Sequence, residues 1–195
     1  MDTRRRPASG PALDPGRLSI AYCTRCRSAT PVTVEDGMER DVLLAIREML
    51  TGHRVLGLAV IVDGAPDASL LPYAVRPDCG AVYVQASGLA RHARGLTPGA
   101  SVGVLIHAAD EPDGDPLQIA RLTVQATVSV LDKAGPAFAE ASRLFIDRFP
   151  AAEMTLSMGD FNLYQLTLGR GRYVAGFARA FNIGPDTFAE VATVS

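Results

Sequence analysis

The chain has 195 residues, 48 % of them hydrophobic and 21 % charged, with a formal net charge of −2, a balance that describes one folded domain around a single core and excludes a disordered or fibrous chain. Six of the 19 basic residues but only two of the 21 acidic ones fall within the first 30 positions, so the body is mildly acidic, which argues against a nucleic-acid-binding surface across it. Cys23, Cys26 and Cys79 cannot all pair, and the longest apolar run, Val55 to Val62, is far too short to span a bilayer; a reducing, cytoplasmic setting with no membrane attachment is expected.

Residues 1–35 are rich in Arg, Pro, Gly, Ser and Thr without periodicity, which predicts a flexible basic arm ahead of a domain spanning 36–195. The Cys23-Thr24-Arg25-Cys26 pair lies in that arm. A structural zinc needs about four ligands, and no second such pair follows, so no metal site is expected. Between Glu39 and Leu50, Val42, Ile46, Met49 and Leu50 recur at helical spacing, and Gly52 supplies a stop. Short β-rich runs follow at 54–62, 69–75, 80–86 and 101–107, separated by Asp63-Gly64-Ala65-Pro66, Pro77-Asp78-Cys79-Gly80 and Thr97-Pro98-Gly99.

From Arg121 to Val130, Leu, Val, Ala, Val and Val alternate with Arg, Thr, Gln, Thr and Ser, which predicts a strand with one buried face. A helix is expected from about Pro136 to Arg148, with Phe138, Ala141 and Phe145 on one stripe. Two more strands, about 160–168 and 172–178, are expected to be joined by a turn at Gly169-Arg170-Gly171. Many short strands, few helices and hairpin-length turns point to a mainly β fold with flanking helices (α+β): an antiparallel barrel, not a doubly wound nucleotide-binding sheet.

One stretch carries chemistry. In Val84-Gln85-Ala86-Ser87-Gly88-Leu89-Ala90-Arg91-His92-Ala93-Arg94 an apolar run stops at Ser-Gly, and a short helical segment then brings Arg91, His92 and Arg94 together. Free N–H groups at a helix start, the Ser87 hydroxyl as cap or donor and the two arginines would suit a phosphate. A capped surface helix with solvated arginines is the plainer alternative. The acidic run 110–115 reads as a hairpin tip, because Pro112 and Pro116 break it and no Glu follows where a calcium loop needs one. His53, His92 and His107 are scattered and no serine sits in an elbow, so no Ser-His-Asp device is present.

The order of segments Ala68-Ser69-Leu70-Leu71-Pro72-Tyr73, Val82 to His92, Ser101 to Ile106, Arg121 to Val124, Asp160 to Leu166 and Arg172 to Ala180 resembles the pyridoxamine 5′-phosphate oxidase-like split barrels that bind FMN, most nearly their haem-iron-utilisation branch. The resemblance covers about residues 38–182. It implies a six-stranded split barrel and a homodimer with the cofactor at the subunit interface. By this likeness Ser87 and Arg91, with His92 and Arg94 beside them, hold the FMN phosphate. Ser69, Leu71, Pro72 and Tyr73 run along the flavin, and Arg121 opens a strand that approaches it. A flat apolar ring with polar edges suits an apolar slot, and its phosphate suits cations.

The chain has no Trp and no basic substrate-clamping segment near its C-terminus, so the vitamin B6 reaction itself is not expected. The reading is an FMN-dependent oxidoreductase acting on a small-molecule substrate. The alternatives are a haem-binding or haem-degrading protein, with an axial ligand from His53, His92, His107, a Cys or a Tyr, and a non-catalytic binding module.

Overall fold

A computed structural model describes residues 38–195; the proposed arm, with Cys23 and Cys26, lies outside these. The elements in chain order are α1 (Arg40–Gly52), β1 (Val55–Val62), β2 (Ala65–Val75), β3 (Ala81–Ser87), β4 (Ser101–His107), β5 (Arg121–Val130), α2 (Pro136–Arg148), α3 (Ala152–Leu156), β6 (Phe161–Gly176), β7 (Arg179–Ile183) and α4 (Pro185–Thr193). The strands pair antiparallel in the order β3-β2-β1-β4-β5-β6-β7, and β3 also pairs with β6. Six strands therefore close into a barrel, and β7 extends it beside the far half of β6.

Period-two patterning explains the barrel wall. Leu56, Leu58, Val60 and Val62 of β1, Val102, Val104 and Ile106 of β4, and Leu122, Val124, Ala126 and Val128 of β5 point inward and are buried. The stripe Val42, Leu43, Ile46, Met49 and Leu50 of α1 and Phe188 and Val191 of α4 join that core. A second cluster lies outside the wall, where Ala74, Tyr83 and Leu163 meet Ala141 and Phe145 of α2 and Ala152 of α3. Arg148, near the end of α2, donates to the carbonyls of Thr51 and His53, satisfying groups that the end of α1 leaves free.

The turn expected at Gly169-Arg170-Gly171 is not a turn. β6 runs unbroken through it and pairs with β5 on both sides, with a bulge where Gly169 and Arg170 of β6 face Gln125 of β5. These glycines serve close approach: a Cβ on Gly171 would sit 2.3 Å from the Thr123 carbonyl oxygen. The chain reverses at Phe177-Ala178 instead, where Gly176 (φ 136°) and Ala178 (φ 59°) adopt positive φ. The sequence reading also missed α3, β7 and α4, each short and weakly periodic.

β2 pairs with β3 only over Tyr73–Val75, and its earlier residues pair with β1 alone. The two strands splay apart, and the chain leaving Ser87 enters the opening as a 3₁₀ turn, Arg91–Gly95, packed against β1 and β2. Gly95 is what permits this: a Cβ there would meet the Val60 Cβ at 2.7 Å and the Ile61 carbonyl oxygen at 2.9 Å.

Candidate functional site

Ser87, Arg91, His92 and Arg94 do gather at the split, together with Ser69, but not as a helix N-terminus. The helical segment is a five-residue 3₁₀ turn capped by Ala90, so Ser87 is not its cap. The hydroxyl of Ser87 donates to Asp160 Oδ2 at 2.6 Å and accepts from the Leu89 N–H at 3.1 Å. Arg91 Nε lies 3.2 Å from Asp67 Oδ1, and Arg94 Nη2 lies 2.6 Å from Asp63 Oδ1. Ser69 Oγ is 3.0 Å from His92 Nδ1. Two carboxylates thus face the two guanidiniums and a third takes the Ser87 hydroxyl, so Ser87, Arg91 and Arg94 already have acid partners, while His92 is paired with Ser69.

The β2 residues divide by side. Leu71 and Tyr73 are buried in the barrel core, and Pro72 is half-buried on the opposite face. Tyr73 donates to the Leu50 carbonyl at 2.7 Å, and burial pushes its phenol up to about 12, offset in part by the nearby Arg148 charge. Arg121 is distant from the split. It starts β5 opposite His107 on one side and Val174 on the other, and its Nη1 donates to the Ile119 carbonyl at 3.0 Å.

A second region escaped the sequence reading. The outward faces of β1, β2, β4 and β5 stay open, and registers align their residues in rows across the sheet. Leu70, Gly57, Leu105, Thr123 and Arg172 form one row; Ala68, Ala59, Gly103 and Gln125 form the next. Leu70 is 69 % exposed, Ile61 60 % and Val55 46 %, and between them lies a floor of Gly and Ala. Where the apolar half gives way to the polar one, beside the bulge that sets Gly169 and Arg170 of β6 against Gln125, a groove of about 380 Å³ is lined by Gly103, Thr123, Gln125, Arg170, Gly171 and Arg172, with Val124. His107 is on the same outward row of β4 as Gly103 and Leu105, exposed, with Nδ1 2.7 Å from the Ala108 carbonyl oxygen. A carbonyl can only accept, so Nδ1 is the donor here, and in the neutral ring that leaves Nε2 as the nitrogen able to bind a metal. The alternation in β5 was the available signal for this face. Arg170 was hidden by being read as a turn residue, and Arg172 by being read only as the start of the strand after it.

The closed six-strand order with its split decides the fold comparison. This chain has a split-barrel fold. No family model matches it. The split barrel is 27 % identical over 148 residues to the haem oxygenase HutZ of Vibrio cholerae, covering 74 % of this chain and 82 % of that one. It superimposes on a haem-binding protein from Mycobacterium smegmatis with a TM-score of 0.67 at 25 % identity, covering 80 % of this chain and 62 % of that one, so it spans under two thirds of that relative's length. A pyridoxinephosphate oxidase-family protein from Clostridium acetobutylicum shares the fold, with a TM-score of 0.58 at 13 % identity over 77 % of this chain and 99 % of that one. No helix among the described residues is long and apolar enough to cross a membrane.

Proposed function

We propose that this split barrel is a haem-binding protein of the haem-utilisation type, acting as a homodimer with haem against the open sheet face at the subunit interface. The observation that carries the reading is the charge balance at the split. A phosphate entering there would have to displace Asp67 from Arg91 and Asp160 from Ser87, and a hydroxyl has only one proton to donate. Charge-assisted bonds to phosphate form at little cost only where donors are free.

The open face suits a large flat apolar ring. Its small-residue floor allows close approach, Leu70 and Leu105 offer apolar cover, and the Ala108 carbonyl, accepting from Nδ1, orients the His107 ring so that Nε2 is the nitrogen available to a metal. Bound haem supplies an iron centre that exchanges ligands and electrons. The chain's part is to bind it, orient it and shield it from water. Pairing the exposed apolar residues against a second copy removes that surface from water and fits a two-fold dimer. Cys79 is a buried free thiol, pushed up by burial, which suits a reducing cytoplasm. The similarities to a haem oxygenase and a haem-binding protein favour the same ligand. FMN, the ligand the motif order first suggested, is the second reading and keeps Ser87 and Arg91 as its phosphate contacts.

Titrating the purified chain with haemin, and separately with FMN, tests this by absorbance and by flavin fluorescence. Saturable growth of a Soret band, shifted and weakened in His107→Ala, with FMN fluorescence left unquenched, is the expected result. Flavin retained by the protein and released on heating, with no Soret response, would establish the FMN reading, and silence with both ligands would make the barrel a non-catalytic module.

A further inference from the structure

Among the described residues, every arginine except two has a side-chain partner. Arg40, Arg47, Arg121 and Arg148 donate to backbone carbonyls. Arg76, Arg91, Arg94, Arg143 and Arg179 face carboxylates, and Arg54 lies over the Phe149 ring. Arg170 and Arg172 have no partner among the described residues, and both line the groove on the open face. Gly171 between them presses β6 onto β5.

Two guanidiniums two residues apart on one strand repel each other, and neighbouring acids would relieve this. None lines the groove; its other polar side chains are Thr123 and Gln125. The next outward position on β4 is the half-exposed Leu105. Free cations at the margin of an apolar floor match a ligand with a flat apolar body and anionic groups along one edge. Arginine's planar fork suits carboxylates in particular, because it can engage both oxygens at once.

We infer that Arg170 and Arg172 form a carboxylate clamp, holding the propionate edge of a tetrapyrrole whose ring lies on the open face. This rests on the haem reading above. The clamp orients the ring, while His107 addresses its metal, so the two act on different parts of the ligand.

The test compares the full chain with R170Q/R172Q and R170K/R172K, each titrated with haemin and with haemin dimethyl ester, in which the carboxylates are masked. The clamp predicts a roughly 10- to 100-fold loss of haemin affinity per arginine in R170Q/R172Q, the range for hydrogen bonds to charged groups. Ester affinity should be equal in all three proteins, which also shows that the variants are folded. R170K/R172K should recover part of the loss, and the ionic-strength dependence of haemin binding should flatten in R170Q/R172Q. Equal haemin affinity in the wild type and R170Q/R172Q would overturn the clamp and leave the haem reading standing. A wild type that binds neither haemin nor its ester would overturn both.

Discussion

Tyr73 shows how much one side chain in this barrel does away from any ligand. Its ring lies in the core and its hydroxyl reaches the Leu50 carbonyl, near the end of α1, where intrahelical donors run out. Tyr73→Phe leaves that carbonyl without its donor and is expected to cost about 1–3 kcal/mol in urea unfolding. The raised phenol also sets a pH dependence. Below pH 10 the hydroxyl is protonated in both states and its contribution is complete; as pH climbs from 10 to about 12 the unfolded chain loses the proton first, so stability falls. Tyr73 should account for a loss of about 2 kcal/mol across that interval, so Tyr73→Phe should lose correspondingly less. An identical alkaline limb in the two proteins would remove Tyr73 as the cause. At this scale the sequence was legible in part. Ser87, Arg91, His92 and Arg94 were singled out together and lie together at the split with Ser69, but Asp63, Asp67 and Asp160 were not foreseen beside them. Those acids come from distant turns and strand ends, and their pairing exists only once the β2 register and the β3–β6 closure are set.

At the scale of elements, strong periodicity was read well and close approach was not. The strand Arg121–Val130 and the helix Pro136–Arg148 occur as expected, because alternation and an apolar stripe report burial directly. Gly169-Arg170-Gly171 looked like a hairpin because glycine serves both turns and tight strand contacts, and only the neighbouring strand distinguishes them. Gly171→Ala tests the second role. Its Cβ would lie 2.3 Å from the Thr123 oxygen and 2.9 Å from the Val124 Cα, both backbone atoms, so β5 and β6 must part. A loss of about 1–3 kcal/mol is expected, the usual range for overpacking. The amides of β5 beside the bulge should also exchange faster with solvent. If Gly171 were a turn residue with open space, alanine would be tolerated and neither change would be seen.

For the whole molecule, the barrel class was legible from strand number and turn spacing, whereas the open face was not, since exposure on one side of a sheet depends on where the helices settle. α2 and α3 pack outside β2, β3 and β6 and leave Val55, Ile61, Leu70 and Leu105 in solvent. Placing a charge in the middle of that patch, as Leu70→Asp, is expected to shift a dimer towards monomer in analytical ultracentrifugation without lowering monomer stability, because Leu70 touches water and not the core. A wild-type protein that sediments as a monomer at every concentration would refute the dimer.

The closure of β3 on β6 also bears on how the chain folds. Ser87 must find Phe161 and Ala81 must find Thr167, so the barrel cannot shut until β6 has left the ribosome. Until then β1 to β5 can form only an open sheet in the order β3-β2-β1-β4-β5, with one edge of β3 unpaired and the core exposed along one seam. Contacts so distant in the chain are slow to form, and the nascent protein passes through a stage in which that seam is its most vulnerable surface.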